Sequence, residues 1–177
     1  MQDFPREIQE KARHIKLLVL DVDGVLSDGK LYYSNNGDEI KSFNILDGQG
    51  IKLLLNNGIE VAIITNRESN VVSRRARELG ISKLVQGSES KLAALDELLQ
   101  SLKLGYQEAA YIGDDLPDLA CMRRVGFAVT VPNAHPVLQQ HALCCTQRRG
   151  GAGAVREICD LILQAQDKFE QAIEPYL

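Results

Sequence analysis

The sequence predicts an open α/β fold on a central parallel sheet, from three observations. Short apolar runs alternate with amphipathic stretches along most of the chain, the rhythm of successive βαβ units. The runs are continuous rather than alternating, as in strands covered on both faces. Three of them stop at polar side chains, Leu20 before Asp21, Ile64 before Thr65 and Ile112 before Gly113-Asp114. The carboxyl edge of an open α/β sheet is where such folds bind ligands.

Length and composition fit that class. With 177 residues and 45% hydrophobic content, one domain over 1–177 is the natural count, large enough to bury its own core. A net charge of −4 and 5% aromatics leave neither a basic field nor stacking platforms for nucleic acid. The start, Met1 to Arg13, is too charged for a signal-peptide core, and no apolar stretch approaches the ~18 residues of a membrane span. The expectation is a cytoplasmic protein with no membrane partner. Cys121, Cys144, Cys145 and Cys159 contain no C-x-x-C spacing and read as buried free thiols. None of His14, His135 and His141 is assigned to catalysis; Asn133 and His135 suit a helix cap and first turn.

In chain order, Leu17 to Leu20 is the first strand, carrying Asp21-Val-Asp23-Gly24 to the sheet edge. Asp21 and Asp23 would share a face if the strand continued, and Gly24 bends the chain so that the two take separate roles. Residues about 30–43 break the βαβ rhythm. Their β-forming ends flank Asn36-Gly37, a type I′ turn dipeptide, and predict a protruding β-hairpin. Val61 to Ile64 is the next strand, then Leu84 to Gln86, with Lys91 opening a helix after Gly87-Ser-Glu-Ser90. Ala109 to Ile112 and Phe127 to Val129 complete the strands. Gly150-Gly-Ala-Gly153 reads as a mobile loop before a helix from about Ala154 to Ala172, the start of a C-terminal helix and tail over about 154–177.

If the strands are parallel, Asp21, Asp23, Thr65, Lys91, Asp114 and Asp115 converge. Singly, Thr65 reads as a capping hydroxyl and Lys91 as a solvated charge. Together they supply phosphoryl transfer: carboxylates to hold a hard divalent cation, a carboxylate nucleophile, and a hydroxyl and ammonium for the phosphoryl oxygens.

The motifs Asp21-Val-Asp-Gly-Val-Leu-Ser-Asp-Gly29, Phe43-Asn-Ile-Leu-Asp-Gly-Gln-Gly-Ile-Lys52, Gly113-Asp-Asp-Leu-Pro-Asp118 and Gly150-Gly-Ala-Gly-Ala-Val-Arg-Glu157 resemble the haloacid dehalogenase superfamily. Within it they resemble the 3-deoxy-D-manno-octulosonate 8-phosphate phosphatase family. The resemblance covers all but the first dozen or so residues and the last few. It implies a Rossmann-like three-layer sandwich with the hairpin in place of a cap domain. The implied reaction is Mg²⁺-dependent hydrolysis of this sugar-acid phosphate in lipopolysaccharide precursor synthesis, through an aspartyl-phosphate. It further implies Asp21 as nucleophile, Asp23 as acid and base, and Thr65 and Lys91 on the phosphoryl oxygens. Metal would be held by Asp21, Asp23 through its backbone carbonyl, and Asp114. Substrate contacts would come from Asp23, Asn44, Ile45, Leu46, Asp47, Gly48, Lys52, Arg67, Arg75 and Lys91. Asp115 and Asp118 would orient metal and water, with helix capping by Asp115 and a solvated helix face for Arg75 as open alternatives. Two departures stand out: Leu46 where close relatives carry a basic residue, and Asn66 for the usual glycine. The resemblance also implies a homotetramer joined through the hairpins, the tail beyond Gly150 reaching a neighbouring site. Alternatives are a phosphatase of another sialic-acid-like sugar phosphate and a non-catalytic receiver-like module; Asp23, unneeded by a receiver, favours turnover.

Overall fold

The computed structural model describes residues 4–177. Six parallel strands form the central sheet: β1 (Leu17–Leu20), β4 (Glu60–Ile64), β5 (Lys83–Val85), β6 (Ala109–Gly113), β7 (Phe127–Thr130) and β8 (Cys144–Cys145). Their spatial order is β5-β4-β1-β6-β7-β8, with Leu20 level with Ile63 on one side and Ile112 on the other. Every residue of β1 and β6 is buried, which requires cover on both faces of the sheet and explains why these runs show no alternation. Each buried Leu or Ile contributes roughly 1.5–3 kcal/mol, so the central strands anchor the fold.

Helices flank the sheet. These are α1 (Arg6–Arg13), α2 (Ile45–Asn56), α3 (Asn70–Leu79), α4 (Lys91–Leu102), α5 (Leu119–Met122), α6 (Pro136–His141), α7 (Ala154–Ala165) and α8 (Phe169–Ile173). Packing of α7 on both α1 and α2 joins the two ends of the chain. The fold winds away from β1 towards β4 and β5, then returns to add β6, β7 and β8 on its other side. The crevice outside the carboxyl ends of β1 and β6 is therefore a topological switch point.

Several boundaries differ from the sequence reading. The third sheet strand spans Lys83–Val85 rather than 84–86, and Thr130 extends β7. β8 was not anticipated, because two residues are too few to show a period. It leaves Cys145 exposed, while Cys121, Cys144 and Cys159 are buried free thiols as expected. The C-terminal helix ends at Ala165, where Asp167 adopts φ 57° before α8 begins. The hairpin forms from β2 (Tyr32–Tyr33) and β3 (Glu39–Ile40), paired antiparallel. Its turn is not type I′. The Gly37 N–H donates to Ser34 O at 3.0 Å and only Gly37, at φ 86°, is left-handed, the signature of a type I turn followed by a glycine bulge. The α6 cap is His135, whose Nδ1 accepts the Val137 N–H, and Asn133 does something else.

Candidate active site

Asp21 leaves β1 with its N–H still donated to Ile112 O at 3.1 Å, so the nucleophile candidate is held in register with β6. The turn Val22–Leu26 follows, made possible by Gly24 at φ 98°. A bridge from Asn133 fixes this turn: its Nδ2 donates to Gly24 O at 2.9 Å and its Oδ1 accepts the Gly150 N–H at 2.8 Å. The Gly151 N–H adds a bond to Val25 O. A Cβ on Gly150 would lie 1.7 Å from Gly24 O, and one on Gly151 2.6 Å from Asp28 N. Close backbone approach is what these glycines provide, so the segment read as a mobile loop is a packed buttress under the Asp21 turn.

Four ionisable side chains meet in the crevice. Lys91, buried at the first turn of α4, donates to Asp21 Oδ1 and to Asp118 Oδ1, both at 2.7 Å. Ser90 caps that helix, its Oγ accepting the Ala93 N–H. Asp118 Oδ1 also accepts from Tyr111 OH at 2.8 Å, while Oδ2 accepts the Asp114 and Asp115 N–H groups at 3.1 and 3.2 Å. Asp114 closes the cluster, its own carbonyl held by the His135 N–H at 2.8 Å. Oxygens of Asp21, Asp114 and Asp118 lie within 4.8 Å of one another. A cavity of ≈ 300 Å³ opens on them, lined also by Asp23, Thr65, Arg67 and Asp115.

The donor set suits a hard divalent cation. Buried Asp114 Oδ1 has no hydrogen-bond partner, an arrangement that costs free energy unless a cation or a proton completes it. Asp118 is also close enough to share a cation with them, although its oxygens already take four donors. Electrostatics agree: burial, and then the Asp118 charge, raise the Asp21 carboxyl to about 6. Burial, then the Asp21 and Asp118 charges, raise Asp114 to about 8. Burial works against the Lys91 ammonium, but Asp21 and Asp118 outweigh it and hold it above its ordinary value. Without metal, then, the folded state binds more protons than the unfolded chain between the ordinary carboxylate range and about pH 8, and stability is lost as pH rises through that window. Calorimetry in chelator should show Tm falling from pH 5 to pH 8, with Mg²⁺ raising it more the higher the pH. A chelated protein whose Tm rises with pH would contradict this charge balance.

A second group faces Asp23. Lys41, just past β3 with its side chain 1% exposed, places Nζ 2.5 Å from Asp23 Oδ1 and 3.5 Å from Glu39 Oε1. Arg67 reaches Asp23 Oδ2 at 3.6 Å and Glu39 Oε1 at 2.7 Å, and Ser69 Oγ donates to Glu39 Oε2 at 2.7 Å. The sequence reading had Asp23 and Arg67 but missed Glu39, Lys41 and Ser69, along with Tyr111 and Asn133. One signal was available: in an extended stem Glu39 and Lys41 share a face, opposite Ile40. Thr65 is buried beside the acids and accepts the Arg67 N–H at 3.4 Å. The Asp115 carboxylate accepts the Leu116 N–H at 2.8 Å, which is the capping alternative.

The remaining substrate candidates are not brought to this cavity within one chain. Asn44 caps α2 through the Leu46 N–H. Asp47 is buried and accepts the Gly153 and Arg156 N–H groups at 3.3 and 2.8 Å, tying α2 to the start of α7. Arg75 stacks over Phe43 at 5.9 Å and donates to Asn44 O, so it is neither on a solvated face nor beside the acids. Gly48 leaves room for it, since a Cβ there would sit 2.3 Å from the Arg75 guanidinium. Ile45 and Lys52 are exposed on α2, and Leu46 borders a separate cavity of ≈ 410 Å³ with Arg148 and Arg156. These positions were reached by resemblance, and contact with an Asp21-bound ligand would need another chain beside them.

A family model for haloacid dehalogenase-like hydrolases matches residues 82–158, which carry Lys91 and the Asp114 to Asp118 acids. The 3-deoxy-D-manno-octulosonate 8-phosphate phosphatase of Escherichia coli (strain B / BL21-DE3) is 50% identical over 166 residues, covering 94% of this chain and 88% of its own. The crystal structure of the phosphatase of that name from Yersinia pestis superposes with a TM-score of 0.92 at 50% identity, over 93% of this chain and 89% of its own. The Moraxella catarrhalis phosphatase, solved with magnesium ion, phosphate ion and KDO, gives 0.96 at 47% identity over 98% and 100%. Half-identity along nearly the whole length, on a sheet whose strand ends gather the same acids and lysine that first suggested the kinship, makes the chain a member of the 3-deoxy-D-manno-octulosonate 8-phosphate phosphatase family of haloacid dehalogenase-like hydrolases.

Proposed function

We propose that this chain hydrolyses 3-deoxy-D-manno-octulosonate 8-phosphate to the free sugar acid and phosphate, with Mg²⁺ as cofactor, in the cytoplasm and in lipopolysaccharide precursor synthesis. The observation that carries the reading is the pairing, in one cavity, of a lysine-anchored Asp21 with the unpartnered Asp114 oxygen. Asp21, the Asp23 carbonyl and Asp114 would hold the metal. Bound there, Mg²⁺ supplies the positive charge that lets an anionic carboxylate approach an anionic ester. Asp21 attacks phosphorus, the ester P–O bond breaks with its electron pair on the sugar oxygen, and Asp23 protonates that oxygen. Asp23 then takes a proton from the water that opens the aspartyl-phosphate. Lys91 and Thr65 meet the phosphoryl oxygens. Among the described residues no helix is long and apolar enough to cross a membrane.

Arg67 is the sugar-acid recogniser best placed in the single chain, lining the cavity next to Asp23. A charge-assisted contact is worth about 1.5–3 kcal/mol, so Arg67→Ala is expected to lower kcat/KM for the sugar-acid phosphate about 10- to 100-fold more than for a neutral sugar phosphate. Phosphate release from a panel of sugar phosphates, with and without Mg²⁺, reads both this and the activity itself. Equal losses on both substrates would remove Arg67 from recognition; no Mg²⁺-dependent release from any of them would overturn the function.

Assembly through the hairpin is the second part of the proposal. Tyr33 and Ile40, on strands of two residues, are 60% and 55% exposed, and Leu31 just before β2 is 49% exposed, apolar surface that a lone hairpin does not cover. Four hairpins closing into a shared barrel would cover them and satisfy both edges. Light scattering is expected to give a tetramer, and a shorter species for a chain whose hairpin is cut back to a tight turn. A fully active monomer would end the idea.

A further inference from the structure

We propose that Lys41 is a positioning residue for catalysis, holding the Asp23 carboxyl group through Oδ1 in the orientation from which, with its proton on Oδ2, it protonates the leaving group. The inference rests on the reading of Asp23 as the acid and extends it to a hairpin residue outside the active-site cavity. Four observations carry it. Lys41 does not line the cavity, and its side chain is 1% exposed although it belongs to a solvent-facing hairpin. A buried ammonium is strongly disfavoured unless it is paired, and the close partner of Lys41 is Asp23 Oδ1, at 2.5 Å, with Glu39 at 3.5 Å. Asp23 is half-way out of the sheet edge, 22% exposed, with Oδ2 on the side that Arg67 approaches from the cavity. One oxygen is thus held by Lys41 while the other lies towards Arg67, which lines the cavity.

The grip has a further support. Glu39 is itself fixed by Arg67 Nη2 and Ser69 Oγ, both at 2.7 Å, so the stem of the hairpin is tied to the loop after β4 and cannot swing without breaking these bonds. Arg67 and Ser69 bring Glu39 into place, Glu39 flanks Lys41, and Lys41 sets Asp23. The hairpin is therefore part of the catalytic apparatus through its stem, whatever its tip packs against. In the step concerned, the bond from Asp21 to phosphorus forms, the ester bond breaks, and the proton passes from Asp23 to the sugar oxygen. A carboxyl turned away by even about 1 Å loses much of its effect on that transfer.

The test separates proton donation from general damage by changing the leaving group. An alkyl phosphate such as the sugar substrate needs the proton; p-nitrophenyl phosphate releases a stable anion that does not. The quantity read is the ratio of kcat/KM for the two substrates on one preparation, which is insensitive to the folded fraction and to the later hydrolysis of the aspartyl-phosphate. Asp23→Asn is expected to lower this ratio about 10²- to 10⁴-fold, the usual worth of general acid help, and Lys41→Met about tenfold or more. If Lys41→Met gives too little folded protein, Lys41→Gln is read in the same way. A ratio that collapses in Asp23→Asn but stays at the parent value in the Lys41 variant overturns the role of Lys41 and leaves Asp23 as the acid. A ratio unmoved in Asp23→Asn overturns both.

Discussion

Asp21→Asn is expected to lower kcat by at least about 10⁴-fold, the scale of loss when a nucleophile is removed, while the metal-free protein melts at or above the parent temperature. Both halves follow from the same geometry. An amide has the shape of the carboxylate but lacks the charge to attack phosphorus, and Asp118 cannot substitute, since its oxygens are taken by Lys91, Tyr111 and two backbone N–H groups. Stability moves the other way. Burial and the Asp118 charge disfavour the Asp21 carboxylate, so neutralising it relieves repulsion among three acids that share one lysine. Lys91 keeps Asp118 at 2.7 Å and is not left as an unpaired buried charge. Phosphate release and calorimetry on the same variant give both readings. Turnover within about tenfold of the parent would remove Asp21 from the chemistry, and a sharply lower Tm in chelator would show that its charge holds the fold together.

Gly24→Ala is expected to cost about 10²-fold or more in kcat/KM, together with weakened Mg²⁺ binding. Two penalties apply. At φ 98° an alanine is strained, a cost of roughly 1–2 kcal/mol. The larger penalty is steric: the new methyl would sit 1.9 Å from Asp114 Oδ2 and 2.5 Å from its carboxyl carbon. The carboxylate proposed to hold the metal must move, and displacements of about 1 Å in a reacting assembly can cost on the order of 10²-fold. Gly58→Ala separates the two effects, because Gly58, between α2 and β4, has φ 75° with no contact within 4 Å of its would-be Cβ. That control is expected to lose some stability and keep parent kinetics. Magnesium titration by calorimetry and steady-state assays on both variants check it; parent activity in Gly24→Ala would mean that the Asp114 carboxylate is free to shift without consequence.

Much of the site was legible from the residues alone. A short apolar run ending at Asp21 reads as a buried strand delivering a charge to an edge, and the runs before Thr65 and Asp114 repeat the pattern. Parallel topology then brings them together, because βαβ crossovers return every strand to the same end of the sheet. The lysine at a helix start, Ser90-Lys91, carried a capping signal of its own. Elements that failed were those with too few residues to hold a period, such as Cys144–Cys145, or those where one residue type suits several jobs. Asn133 read as a cap and is a bridge; Gly150 to Gly153 read as a mobile loop and pack against the Asp21 turn.

What the sequence determined by itself, then, was the local chemistry: which strands are buried, where they stop, and which acids, hydroxyl and lysine stand at their ends. Hydrophobic period and chain order act over a few residues and can be read there. Only the tertiary structure decided how those groups share protons and charge. It put Lys91 between Asp21 and Asp118, left one Asp114 oxygen without a partner, and set Lys41 behind Asp23. It also gave Asp47 its partners at the start of α7, and Arg75 its partners at Phe43 and Asn44, away from this cavity within one chain. Such pairings join residues 18 to 109 positions apart, and their strength depends on burial and on separations of a few ångströms, quantities that exist only once the chain has folded.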